Sequence, residues 1–305
     1  MNNAITYRLN GYKCYYIIAK TSLRWYKRCL SIFLASGAGS VLEEKIWILI
    51  FERKKMETSS LDSLPRETHN PKRRIIGKQY LEPICIIVML VFFTVLIGVF
   101  DADRVVARFA LDSNGQWLGK NNRYFNAIYD YAHLPGFFIV GSGLLILVFG
   151  YFVEKIKKYR RDGIFVILLL LLGPGLVVNV ALKDNLGRAR PSEIKEFGGQ
   201  SEFTQPWFPG EMGKNSSFPS GHASIGFYLI APWFIFRKQW PLGAKFFLVI
   251  GLPFGLLVGV TRILQGGHYL SDVLWSGGLV YLVGYILAKI LKIDQVNSIG
   301  CKNRK

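Results

Sequence analysis

Long apolar runs constrain this chain more than any other feature. Six stretches, roughly 81–100, 134–153, 163–182, 222–236, 246–261 and 272–291, carry few charges. About 20 apolar residues cross a bilayer as a helix, and the fourth and fifth runs fall short of that length. Lipid cannot hydrogen-bond exposed backbone, so a spanning segment must satisfy its own amides and carbonyls. The expected fold is therefore all-α. It is a polytopic membrane protein with a six-transmembrane-helix bundle over 81–292, a basic N-terminal tail over 1–80, and a short tail over 293–305.

Charge gives the bundle a direction. The formal net charge is +18, from 38 Lys and Arg against 20 Asp and Glu. A basic chain suggests nucleic acid, but here the positive charge flanks apolar runs, where it complements anionic cytoplasmic lipid. No zinc-finger spacing and no nucleotide-binding glycine loop is present, so no nucleic-acid partner is expected. Residues 1–80 hold 15 Lys or Arg against 6 Asp or Glu, with Lys72-Arg73-Arg74 and Lys78 just before the first run. That places the start of the first span in the cytoplasm. The basic connection 154–162, the stretch from Arg237-Lys238 to Lys245, and the tail from Lys292 to Lys305 then all fall inside. The connections 101–133 and 183–221 face outward. The first holds Phe109, Trp117, Tyr124, Phe125 and Tyr129 and reads as a helix lying in the interface.

The tail offers two further readings. Leu30 to Leu42 is moderately apolar and suits an interfacial helix or a signal-peptide core. Cleavage there would invert the frame and leave the basic loops outside, which the charge pattern opposes. Met56 is a second candidate start, because Glu52-Arg53-Lys54-Lys55 is encodable by purine-rich codons like those of a ribosome-binding site. An intact native mass that begins before Met56 rejects it. Cys14, Cys29, Cys85 and Cys301 form no close pair, so neither a disulfide framework nor a metal cage is expected.

The chemistry gathers where spans should meet the outer surface. Lys183 closes the third run, and Arg190 follows seven residues later, nearly two helical turns on, where both can share one face. Pro191 should turn the chain there. Two such cations suit a dianionic phosphate, although Lys and Arg also commonly ornament helix ends. Pro219-Ser220-Gly221-His222 precedes the fourth run. Proline fits a first helical turn, serine caps, and the free amides of a helix start seat an anion. Gly221 permits close backbone approach. His222 then stands where a general acid is needed, the alternative being an ordinary cap with an interfacial histidine. Arg262 ends the fifth run, Gly266-Gly267 permit a bend, and His268 lies four residues before Asp272. On one helical face the carboxylate would accept the imidazole proton and leave the other nitrogen to attack phosphorus. The plainer alternative is an acid placed favourably at a helix start. His133, alone at a rim, reads as structural. The inferred topology puts Lys183, Arg190, His222, Arg262 and His268 on the same outer face, and ionisable groups at that depth usually mark function.

The order Lys, six residues, Arg-Pro; Pro-Ser-Gly-His; and Arg, five residues, His, three residues, Asp resembles the type 2 phosphatidic acid phosphatase superfamily, which includes vanadium haloperoxidases. The resemblance covers about 81–291, with its motifs confined to 183–272. It implies a six-helix core, no required metal or other cofactor, and a phosphohistidine intermediate. His268 would be the nucleophile, Asp272 its orienter and His222 the acid. Lys183, Arg190 and Arg262 would hold the phosphate, with Ser220 and Gly221 as donors. One departure is visible: Thr261-Arg262 stands where the family usually has Ser-Arg, and a hydroxyl is kept.

The stretches Glu196-Phe197-Gly198-Gly199, Phe203-Thr204-Gln205-Pro206-Trp207 and Asn215-Ser216-Ser217-Phe218 resemble those of bacterial lipid A phosphatases. Their ordinary role is to pack the external loop. The resemblance implies a bacterial inner-membrane enzyme, its site facing the periplasm, acting on a lipid A phosphate, a polyprenyl diphosphate, phosphatidylglycerol phosphate or phosphatidate. Transfer of the phosphoryl group to a second lipid is the alternative, and an inactive scaffold or transporter a remote one. Haloperoxidase chemistry is disfavoured, since those relatives are soluble.

Overall fold

A computed structural model describes residues 71–210 and 216–293. The basic tail up to residue 70, with Leu30 to Leu42 and Met56, lies outside the described residues, as do Asn215 and the stretch beyond 293; residues 71–80 belong to the first helix. Met1–Pro71 and Lys72–Lys305 are separate units, and the helical bundle belongs to the second.

The described residues are helical, with no strand beyond the isolated bridges Leu111 to Trp117 and Ile194 to Ser201. Helix α1 spans Pro71–Val99, α2 Ala102–Phe109, α3 Arg123–Tyr131 and α4 Leu134–Phe152. Helix α5 begins as Arg160–Leu170, and Leu171–Lys183 continues it in the wider π winding around Pro174. Helix α6 covers Gly221–Phe236 and is tightened by a 3-10 turn at Tyr228–Ile230. Helix α7 is Pro241–Leu264 and α8 is Leu270–Ile290.

Five stretches are long and apolar enough to cross a membrane: Tyr80–Val99, Arg123–Phe152, Arg160–Lys183, Pro241–Leu264 and Leu270–Ile290. The fourth expected span, α6, is shorter. The fifth is longer than its apolar run, because Pro241 starts the helix ahead of Lys245 and Arg262 falls inside the last turn. Large apolar side chains such as Phe92, Phe138, Phe149 and Val249 stand exposed along these helices, as a lipid-facing surface requires.

Helix α4 packs on α5, and α6 packs on both α7 and α8. The α6–α7 crossing is close: a Cβ on Gly226 would come within 2.9 Å of the Gly255 Cα. Small residues at such crossings let backbones approach where lipid gives helices no hydrophobic drive to associate. Phe165, Phe227, Tyr228, Phe234, Val273 and Val280 fill the middle of the bundle. Helix α1 is tied on by Thr94, which accepts from Trp275 Nε1 at 2.9 Å. Glu82 accepts from both Arg237 and Tyr281 at 2.7 Å.

The connection 101–133 is not one interfacial helix. It folds as α2, a turn closed by Leu111 and Trp117, and α3. Phe109 and Tyr124 are exposed, but Asp103 of α2 is buried against Arg188 and Ser271, and Trp117 packs against the core. Polar partners deeper in the bundle draw α2 down, a preference that an aromatic count does not register.

Candidate active site

Four pieces of chain converge at one end of the bundle: the close of α5, the start of α6, the close of α7 and the start of α8. Gly187, in the left-handed region at φ 59°, breaks the chain after Asp184–Leu186. Arg190 is therefore extended (φ −74°, ψ 157°) and does not share a helical face with Lys183, contrary to the seven-residue spacing argument. Pro191 turns the chain as expected, opening a short 3-10 turn at Pro191–Glu193. Ser192 N–H donates to the Gly266 carbonyl at 3.0 Å, which ties this loop to the α7–α8 bend.

Ser220 caps α6, its hydroxyl accepting from Ala223 N–H at 3.4 Å. Pro219 stands outside the cap rather than in the first helical turn. Helix geometry leaves the amides of Gly221 and His222 without intrahelical partners. The need for glycine at 221 is one of packing: a Cβ there would lie 2.5 Å from Asn179 Oδ1 of α5. His222 is half-buried, and its ring stacks on Tyr129 of α3 with centroids 4.4 Å apart and planes at 26°. Arg262, His268, Lys183 and His133 all lie within electrostatic reach of His222. His133, read from the sequence as structural, thus stands at the rim of this cluster, its ring edge-on to Phe137.

Arg262 reaches from the last turn of α7. Its guanidinium lies 4.6 Å from the Tyr129 ring centroid, and Nη1 donates to Gln265 Oε1, whose amide in turn donates to Asn126 of α3 at 3.0 Å. Thr261 turns its hydroxyl back to the Leu257 carbonyl at 2.9 Å. Gly266 takes φ 69° and makes the bend. Gly267 has a separate role: a Cβ there would sit 2.4 Å from Arg262 Nη2. Gly267→Ala is therefore expected to leave the fold standing, push the guanidinium aside, and lower kcat about tenfold to a hundredfold. Unchanged turnover in a folded variant would show that the displaced guanidinium is not needed.

His268 precedes α8 instead of sharing a helical face with Asp272; Tyr269 is the N-cap and Leu270 the first helical residue. Its closest partner is also different from the expected one. Nδ1–H donates to the Ser217 carbonyl at 2.6 Å, while Asp272 Oδ2 stands 3.5 Å away. A carbonyl only accepts, so neutral His268 carries its proton on Nδ1 and leaves a lone pair on Nε2. Burial holds its pKa below the ordinary value; the bond and charge of Asp272 work the other way, and the charges of Arg262 and Lys183 lower it further.

Asp272 is the hub of a cluster that sequence reasoning missed. It accepts from Tyr269 N–H at 2.8 Å and pairs with Arg188 Nη1. Arg188 is 1% exposed, and it also donates through Nη2 to Asp103 at 2.8 Å, through Nη1 to Ser271 Oγ at 2.9 Å and through Nε to the Thr204 carbonyl at 2.9 Å. Its guanidinium lies 4.3 Å from the Tyr269 ring centroid. Burial alone disfavours the Arg188 charge, but Asp272 and Asp103 outweigh it and hold its pKa above the ordinary value. The one available sequence signal was that Arg188 sits inside the Lys183–Arg190 motif; nothing local pairs it with Asp103, 85 residues earlier.

Two guanidinium atoms stand apart. Arg190 Nε and Arg262 Nε are buried without a hydrogen-bond partner among the described residues, and the two side chains lie within electrostatic reach of each other. Buried donors are normally paired, and an unpaired one calls for an explanation.

Fold and span count define an all-α integral membrane protein. Residues 163–294 match the PAP2 superfamily. The lipid A 4'-phosphatase of Francisella tularensis subsp. novicida (strain U112) is 33% identical over 192 residues, which is 62% of this chain and 85% of that protein. The lipid A 4'-phosphatase of Rhizobium leguminosarum is 34% identical over 134 residues, 42% of this chain and 55% of that one. The crystal structure of a transmembrane PAP2-type phosphatidylglycerolphosphate phosphatase from Bacillus subtilis aligns over 73% of this chain and 98% of its own, at 19% identity and a TM-score of 0.45. The chain belongs to the PAP2 superfamily.

Proposed function

We propose that this membrane protein is a phosphatase acting on lipids, that lipid A phosphate is its substrate, and that it works at the periplasmic face of a bacterial inner membrane. The observation that carries the reading is the pair of buried Nε donors, on Arg190 and Arg262, without a hydrogen-bond partner among the described residues; Arg262 lies within electrostatic reach of both histidines, and Arg190 within reach of Arg262. A phosphoryl group offers acceptors to both, and planar guanidinium donors match its oxygens. The likeness to lipid A 4'-phosphatases supports the lipid class. Exposed Phe109 of α2, Tyr124 of α3, and Trp207 and Phe208 of the loop between α5 and α6 suit contact with acyl chains. The basic connections of the opposite face suit anionic phospholipid.

His268 Nε2 attacks phosphorus, and the bond from phosphorus to the lipid oxygen breaks. His222 gives its proton to that departing oxygen. Water then attacks the phosphohistidine, His222 takes a proton from it, and the phosphorus–nitrogen bond breaks to release inorganic phosphate. Lys183, Arg190 and Arg262, with Ser220 and Gly221 at the start of α6, stabilise charge on the equatorial oxygens. Asp272 holds the charge that His268 acquires on attack.

The test is phosphate release by purified protein from lipid A, undecaprenyl diphosphate, phosphatidylglycerol phosphate and phosphatidate, each with a chelator present. Release from lipid A above the others is the expected result. Preference for another lipid overturns the substrate, and loss of activity with chelator overturns the metal-free mechanism. The lowered pKa of His268 adds a pH signature. Only the neutral His268 ring attacks, so the acid limb that it sets on kcat/KM should lie below about 6.5, the ordinary histidine value, separate from the basic limb set by the proton His222 must carry. An acid limb above that value, after correction for ionisation of the substrate phosphate, would contradict His268 as the attacking group.

A further inference from the structure

The role of His268 as nucleophile leaves Asp103 and Arg188 unexplained, although they are 2% and 1% exposed. Burying a guanidinium with two carboxylates carries a large desolvation cost, and such a cluster is no evidence of stability by itself. Its geometry is specific. Arg188 bridges the two carboxylates with different nitrogens, Nη1 to Asp272 and Nη2 to Asp103. Asp103 also accepts from Ser271 N–H at 2.8 Å and from the Ser271 hydroxyl. The partners come from three distant parts of the chain: α2 after the first span, the loop after α5, and the start of α8.

We propose that Asp103 and Arg188 are positioning residues for the reaction, acting on His268 through Asp272. This role depends on His268 being the nucleophile. Arg188 fixes the Asp272 carboxylate, whose other oxygen faces His268 Nδ1. Alone, Arg188 would also cancel the charge of Asp272. Asp103 engages the same guanidinium, so two carboxylates share one cation and the cluster keeps one net negative charge behind His268. That charge is what an imidazole needs when its Nε2 is phosphorylated and its Nδ1 still carries a proton. It opposes Lys183 from α5, His222 from α6 and Arg262 from α7, which also act on the ring.

Charge arithmetic makes the test. Asp103→Asn takes the cluster from −1 to 0, Arg188→Gln takes it to −2, and the double variant returns it to −1. Phosphate release from lipid A is measured on the purified full-length protein from pH 4.5 to 8. Asp103→Asn is expected to lower kcat about tenfold or more and to move the acid limb of kcat/KM down by on the order of one pH unit, since the protonated ring loses a nearby anion. Arg188→Gln should lose more, and adding Asp103→Asn to it should recover at least about tenfold of that loss. A role confined to folding predicts a uniform fall at every pH and a double variant worse than either single. Either result overturns the proposal. Where Asp103→Asn does not accumulate, the comparison of Arg188→Gln with the double variant decides alone; if neither accumulates, charge rescue has failed and the proposal with it. His268→Ala runs alongside: activity there overturns the nucleophile assignment, whereas an inactive His268→Ala with no limb shift and no rescue overturns this inference only.

Discussion

His268→Ala is expected to reduce phosphate release by about a thousandfold or more, because covalent catalysis is lost at its first step. The fold should survive. The side chain makes one close bond, to the Ser217 carbonyl, and lies at the site rather than in the apolar core of the bundle. Size exclusion in detergent and a thermal melt would register a folding loss separately from a catalytic one. A second readout is chemical. Wild-type protein mixed with labelled substrate and quenched without acid should carry protein-bound phosphate, and the variant should carry none. Turnover within a few-fold of wild type in a folded His268→Ala protein would strip His268 of the nucleophile's role.

Arg190→Ala and Arg262→Ala should each lower kcat by about a hundredfold to a thousandfold, the usual cost of removing one preorganised donor from developing charge. The two residues reach the site differently. Arg190 is extended and held through its backbone, its N–H donating to Glu193 at 2.9 Å. Arg262 is held through its head by Gln265 and by the face of Tyr129. Lysine at either position should recover little, since a point charge cannot reproduce a planar donor fork. The split between constants discriminates. A fall in kcat marks stabilisation of the transition state, whereas a rise in KM alone marks uniform binding and would relegate the guanidinium to holding substrate.

The contrast between Lys183–Arg190 and His268–Asp272 shows how far linear reasoning reaches. Spacing alone puts each pair on a shared helical face, and neither is on one. Gly187 ends the first helix early, and α8 begins only after His268. Their residue types mark chemistry because charge at membrane depth is costly, and that cost is legible without coordinates. The orientation of His268 was not. A backbone carbonyl from Ser217, 51 residues away, is its closest partner, and every residue has a carbonyl, so no side-chain pattern records it. The stacking of Tyr129 on His222 was equally silent, because the connection 101–133 reads as one interfacial helix until α6 is set beside it.

Membrane architecture was determined by the chain alone. Apolar length and the demand that every backbone amide be satisfied in lipid leave helices as the solution. The short α6 and extended α7 adjust the boundaries and not the class. Tertiary structure decided what lies behind the site. Arg188, Asp103 and Asp272 are far apart along the chain, and only Asp272 is marked by a motif partner, His268. Their pairing arises only when three segments close together and exclude water, because it is that exclusion which makes an unpartnered charge too costly to keep.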